Sequence, residues 1–186
     1  MDTITTFMTE QENLFRSQMS SGMKLFPQPI FLSTMLNAGP PVLSFRKLLT
    51  YLGTSKQRSA LLDTLSGALD EMRQTGASPE FILFGGSFLL LELEPNDLDC
   101  IVFYKALEGR TISISDLVKL QTTIKKELID ARFVALDVDQ AFYLKALSFY
   151  TLLYSQSRPG KQCAGCVIAI VNPTENRSAG EAIVHE

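Results

Sequence analysis

Residues 84–103 read FGGSFLLLELEPNDLDCIVF, and this stretch decides how the rest of the chain is understood. One apolar run ends in Gly85, Gly86 and Ser87, and the next begins with Asp97 and Asp99, one residue apart. Residues i and i+2 of a strand point to the same side, so a strand opening at Asp97 places two carboxylates and Ile101 on one face. Such a pair adds nothing to a core and suits a divalent cation. Phe81 to Phe84 reads as a buried strand ending in glycine, and Asp97 to Tyr104 as a second strand. Between them, SFLLLELE has the length of about two helical turns before Pro95 breaks the path.

Working outward, SFRKLLTYLG reads as a short helix closed by Gly53. TSKQRSALLDTLSGALDEMRQTG reads as a long helix, with Leu61, Leu62, Leu65, Ala68, Leu69 and Met72 at helical spacing. Thr54 or Ser55 caps its start and Gly76 stands where a C-terminal glycine belongs. After a polar loop, Ser115 is the expected cap of a helix carrying Leu117, Leu120, Ile124 and Leu128. ARFVALDVD supplies a third strand, QAFYLKALSFYTLLY a helix whose aromatic positions belong to the core, and CVIAIVN a last strand. The expected class is α/β (α+β), a small mixed sheet flanked by helices. Residues 1–40 read as an N-terminal extension with a short helix near Thr9 to Met19 and prolines at 27, 29, 40 and 41; 41–175 form the domain and 176–186 a tail.

Composition narrows the function classes. The chain has 186 residues, 46% hydrophobic and 20% charged, which suits a domain with a proper core. A net charge of −3 gives no broad basic surface for non-specific nucleic-acid binding. No apolar run approaches the roughly 20 residues that span a bilayer, and the acidic start MDTITTFMTEQENLF does not resemble a signal peptide. A cytoplasmic location is expected. Cys100, Cys163 and Cys166 are too few for a disulfide framework. The Cys163-Ala-Gly-Cys166 pair lacks the partners for a four-ligand zinc site and the context for a redox motif.

Gly86-Ser87, nine intervening residues and Asp97-Leu98-Asp99 resemble the signature of the nucleotidyltransferase superfamily related to polymerase beta. RSALLDTLSGALDEMRQTG, GGSF, PNDLDCIVF and SRPGKQCAGCVIAIV together resemble a group of small bacterial nucleotidyltransferase-like proteins, over about residues 40 to 172. The resemblance implies Mg²⁺ or Mn²⁺ held by Asp97 and Asp99, and a third carboxylate from a later strand, Asp137 with Asp139 as the alternative. It also implies an NTP whose phosphates meet Gly85, Gly86 and Ser87, with the amides of Ser87 and Phe88 donating to its oxygens. Arg158 and Lys161, in SRPGK, are candidate phosphate partners. The acceptor implied is a protein hydroxyl or an RNA end, in the toxin and antitoxin setting where small members of the superfamily occur.

Each feature also has a plainer reading. Gly-Gly-Ser is a common strand-to-helix turn, PNDLD an ordinary turn, and SRPGK a solvated loop. This chain departs from the group it resembles in having no basic residue between Ser87 and Asp97, while Glu92 and Glu94 add negative charge there. The alternative is therefore a binding module or antitoxin-like partner that keeps the fold and turns over nothing.

Overall fold

The computed structural model describes residues 3–22, 25–26, 39–91, 94–156 and 165–171. Its centre is the pair of strands β2 (Ala77–Gly85) and β3 (Leu98–Ala106), antiparallel, with Gly85 opposite Asp99 and Phe84 opposite Cys100. β4 (Ile129–Ala135) runs parallel to β3, and α4 (Ile114–Lys126) makes the crossover between them. On the other side β5 (Val167–Ile170) is antiparallel to β2 and parallel to the short β1 (Val42–Ser44), giving the order β1-β5-β2-β3-β4. With α1 (Thr3–Ser21), α2 (Phe45–Leu52), α3 (Lys56–Gln74) and α5 (Gln140–Ser155), this is a mixed sheet in an α+β fold.

The near-continuous apolar runs of β2 and β3 follow from burial on both faces. Ile82, Phe84, Cys100 and Val102 join a large core with Leu48 and Leu52 of α2, Leu61, Leu65, Leu69 and Met72 of α3, and Leu117, Leu120 and Ile124 of α4. Leu83, Ile101, Phe103 and Val134 belong to a smaller cluster with Tyr143, Ala146, Leu147, Tyr150 and Tyr154 of α5. The helix ends follow the sequence. Ser44 Oγ accepts from the Lys47 amide and Ser55 Oγ from the Arg58 amide, Gly53 closes α2, and Gly76 takes φ +89° just past α3.

Several expectations are corrected. β2 starts four residues before Phe81, passing Pro79 through a register irregularity, which is where a sheet tolerates proline. Among the described residues of SFLLLELE the helical element is a 3₁₀ turn, Ser87–Leu89, and Leu90 is already extended, where a helix of two turns was expected. The carbonyls of Phe88 and Leu90, which a longer helix would use internally, instead accept hydrogen bonds from Arg58. α4 is capped at Ser113, and Ser115 lies inside its first turn. α1 is longer than expected, and the segment read as an extension gives Phe15 and Leu25 to the main core.

The amide of Val42 donates to Gln11 Oε1, Tyr51 donates to Glu12, and Phe15 packs on the Tyr51 ring, so α1 is fastened to β1 and α2. No residue of α5 is buried. The helix is apolar nearly all round while only one side meets the sheet, so Phe142 and Phe149, expected in the core, are exposed together with Leu144 and Leu152.

Candidate functional site

Gly85 and Gly86 end β2 beside the start of β3. Gly86 has φ +71° and ψ −165°, a region essentially confined to glycine. A Cβ there would also overlap the Asp99 carboxylate, so Asp99 Oδ2 lies directly against the Gly86 backbone. At Gly85 a Cβ would run into the Tyr154 ring. The two glycines therefore let two side chains, one from β3 and one from α5, close on the same elbow.

Across the parallel pair, Asp99 is the register partner of Asp130. Neighbouring strands lie about 4.8 Å apart and register partners share a face, so the two carboxyl groups are immediate neighbours. By the same alternation they stand on the face that carries Ile101, Val134 and α5. The amide of Leu98 donates to the Leu128 carbonyl at 2.9 Å, extending the ladder by one bond and fixing the register at this end. Leu128 makes the turn out of α4 with φ +65°. Asp130 is partly exposed, and its Oδ1 lies 3.8 Å from both Lys125 Nζ and Arg132 Nη2. Both cations are more than half exposed and weakly engaged.

Asp97 immediately precedes β3 and is half-buried. Ser87 is exposed at the head of the 3₁₀ turn. Asp137 is not part of this group. It lies past the far end of β4, roughly 20 Å along the strand from Asp130, where its Oδ2 accepts the Ala106 amide at 2.8 Å. Asp139 is the N-cap of α5, accepting the Ala141 amide at 2.7 Å. Both carboxylates expected as the third ligand thus complete backbone hydrogen bonding elsewhere. The carboxylate that the fold brings to Asp99 is Asp130. Arg158, Lys161 and Cys163 lie outside the described residues.

Among the described residues no three metal-ligating side chains form a cluster. The donor set is compatible with Mg²⁺ all the same, since that ion is commonly held by one or two carboxylates with water and substrate phosphate completing its shell. Asp99 and Asp130 are the residues that would hold it; Asp97, just before the strand, does not complete a cluster with them.

The opposite face of β3, behind the carboxylates, is apolar core. Burial, followed by the charges of Asp99 and Asp130, pushes the Cys100 thiol well above its ordinary range, so it is an inert core group. The Tyr154 phenol is likewise raised, by burial first and then by Cys100 and Asp99, and remains a neutral hydroxyl beside the carboxylates.

Asp130 and Arg58 were the residues that sequence reasoning missed. The signal for Asp130 is the alternation Ile129-Asp130-Ala131-Arg132, a strand with one polar face beginning two residues before the apolar run. The signal for Arg58 is its place in the apolar stripe of α3, one turn before Leu61 and Leu62.

No helix among the described residues is long and apolar enough to cross a membrane. A model described as a family of unknown function (DUF6932) matches residues 31–168, so the chain belongs to that family. No curated protein and no solved structure matches it.

Proposed function

We propose that this member of a family of unknown function is a metal-dependent nucleotidyltransferase that moves a nucleoside monophosphate from an NTP to a protein hydroxyl or an RNA end. The observation that carries the reading is the placement of Asp99 beside Asp130 against the Gly85-Gly86 elbow. The resemblance of Gly86-Ser87 and Asp97-Leu98-Asp99 to the polymerase beta-related superfamily supports it. So do Lys125 and Arg132, cations next to the carboxylates that supply positive charge lacking in the loop between Ser87 and Asp97.

In the reaction, the acceptor hydroxyl oxygen bonds to the α-phosphorus and the bond from that phosphorus to the α,β-bridging oxygen breaks. Pyrophosphate leaves, and a carboxylate of the pair takes up the acceptor proton. Mg²⁺ or Mn²⁺, when bound, supplies charge neutralisation for the triphosphate and for the attacking and leaving oxygens. Asp99 and Asp130 would hold and orient it, the amides of Ser87 and Phe88 would donate to phosphate, and Arg132 and Lys125 would face the polyphosphate. The setting that fits is cytoplasmic, with a partner macromolecule as acceptor, as in toxin and antitoxin pairs.

A second reading has its own observation. The Tyr154 ring lies on Gly85, on the carboxylates' face of the sheet, which suits a closed binding module that turns over nothing.

Thermal unfolding with each NTP, with and without Mg²⁺ or Mn²⁺, separates the two. A ligand at 100 times its Kd stabilises by about 2.7 kcal/mol, a shift of roughly 5–10 °C for a chain of this size. The nucleotidyltransferase reading expects a shift that needs both metal and an NTP and is lost in the Asp99→Asn, Asp130→Asn double variant. An equal shift in that variant would sink the site, and no shift with any pair in the unaltered protein would leave the binding module.

A further inference from the structure

The segment from Phe88 to Pro95 joins the elbow to the carboxylate strand, and the first turn of α3 holds it at both ends. Arg58 Nη1 donates to the Phe88 carbonyl and Nη2 to the Leu90 carbonyl, each at 2.6 Å. At the far end, Gln57 Nε2 donates to the Pro95 carbonyl at 2.5 Å and Ser55 Oγ to Glu94 Oε2 at 2.9 Å. Arg58 is only 1% exposed, and its guanidinium lies over the Phe88 ring, 5.2 Å from the centroid. Packing alone does not account for a guanidinium here. Leucines occupy the next turn of the same stripe, and an arginine in the core carries a desolvation cost that a leucine does not. What the arginine adds is a rigid fork that reaches two carbonyls two residues apart, which no aliphatic side chain does and which lysine, a single point donor, does less well.

We infer that Arg58 is a positioning residue for the nucleotide site, clamping the Ser87–Leu90 turn so that Ser87 and the Gly85-Gly86 elbow hold a fixed place beside Asp99 for the polyphosphate. This deepens the nucleotidyltransferase reading and rests on it. The clamp acts on Ser87 and the elbow without touching metal or nucleotide. Its removal therefore loosens the phosphate contacts and leaves the carboxylate pair, which is fixed separately by the β3–β4 register.

The test compares the unaltered chain with Arg58→Met and Arg58→Lys by calorimetry with Mn²⁺ alone, with Mg²⁺ and NTP, and with Mg²⁺ and NMP, alongside amide hydrogen exchange. Arg58→Lys keeps the charge and the stem, and it decides the matter if Arg58→Met does not fold. In Arg58→Lys, NTP affinity is expected to fall about tenfold, the size of one hydrogen bond from the loosened turn to phosphate. Affinity for Mn²⁺ alone stays unchanged, the preference for NTP over NMP shrinks, and exchange accelerates at Ser87 to Leu90 but not at Leu65 to Met72. Unchanged NTP affinity in Arg58→Lys overturns the inference. So does parallel loss of Mn²⁺ and NTP affinity with protection lost throughout α3, which would make Arg58 a residue of general stability. Absence of NTP binding in the unaltered chain overturns the nucleotidyltransferase reading itself, so the two failures are distinguishable.

Discussion

Replacing Gly85 by alanine tests whether α5 is seated on the elbow. Gly85 has no left-handed backbone angle, so alanine fits its conformation, yet the new Cβ would lie within 2.5 Å of Tyr154 Cδ1 and closer still to Cγ. These are ring atoms near the stem and cannot swing aside as a flexible tip would. Overpacking of this kind costs about 1–3 kcal/mol. Tyr154→Ala alone removes a partly buried ring and costs about 2 kcal/mol at ~25 cal/mol per Å². In the Tyr154→Ala background the obstruction is gone, and the same glycine-to-alanine change is expected to be neutral or to stabilise by about 0.4–1 kcal/mol through the unfolded chain. The sign of the Gly85→Ala effect therefore reverses. Urea unfolding of the four proteins reads this out as the midpoint multiplied by a common slope. Additivity within about 0.5 kcal/mol would refute the packing of Tyr154 on Gly85, and with it the view that α5 shares the face of the candidate site.

The two aspartates of β4 and its extension should behave differently. Asp130→Asn is expected to abolish Mn²⁺ binding with little change in stability. Asp137→Ala should leave Mn²⁺ binding intact while costing about 1 kcal/mol for the unpaired Ala106 amide; calorimetry with Mn²⁺ and urea unfolding check both. The bond from Tyr51 to Glu12 gives a pH test. Tyr51 foremost, with Lys47, holds the Glu12 carboxyl below its ordinary value of 4.5 against the opposing effect of burial, and Glu12 with burial raises the Tyr51 phenol above 10.0. The bond's contribution is thus complete between those two values, lost as pH falls through the depressed Glu12 pKa and lost again as pH rises through the raised Tyr51 pKa. Tyr51→Phe is expected to cost about 1 kcal/mol at neutral pH, and the gap from the unaltered chain should close in acid; a gap persisting at pH 2–3 would contradict the assignment.

The sequence disclosed what is governed by neighbours along the chain. The stripe of α3, the caps at Ser44 and Ser55, the glycines after α2 and α3, and the two-sided burial of β2 and β3 all rest on local periodicity or turn chemistry. What it hid is governed by contacts across the fold. The segment after Ser87 has helical composition, but Arg58, thirty residues earlier, takes the carbonyls that a helix would need. The resemblance implies a third carboxylate from a later strand, and Asp137 stands near the end of the run ARFVALDVD that reads as that strand. Asp130 was passed over because β4 is an edge strand whose polar residues blur its start. Only the parallel register with β3 reveals which aspartate meets Asp99.

The position of β5 bears on synthesis. Although it is the last described strand in the chain, it lies between β1 and β2 and, among the described residues, alone joins β1 to the sheet. Until it leaves the ribosome, β2 presents an unpaired apolar edge and β1 has no strand to join, the kind of surface that invites pairing with another chain. The unit from α3 to β4, which holds both aspartates, the elbow and Arg58, is complete some thirty residues sooner. A nascent chain stalled in that interval would carry a nearly finished site on an unfinished sheet.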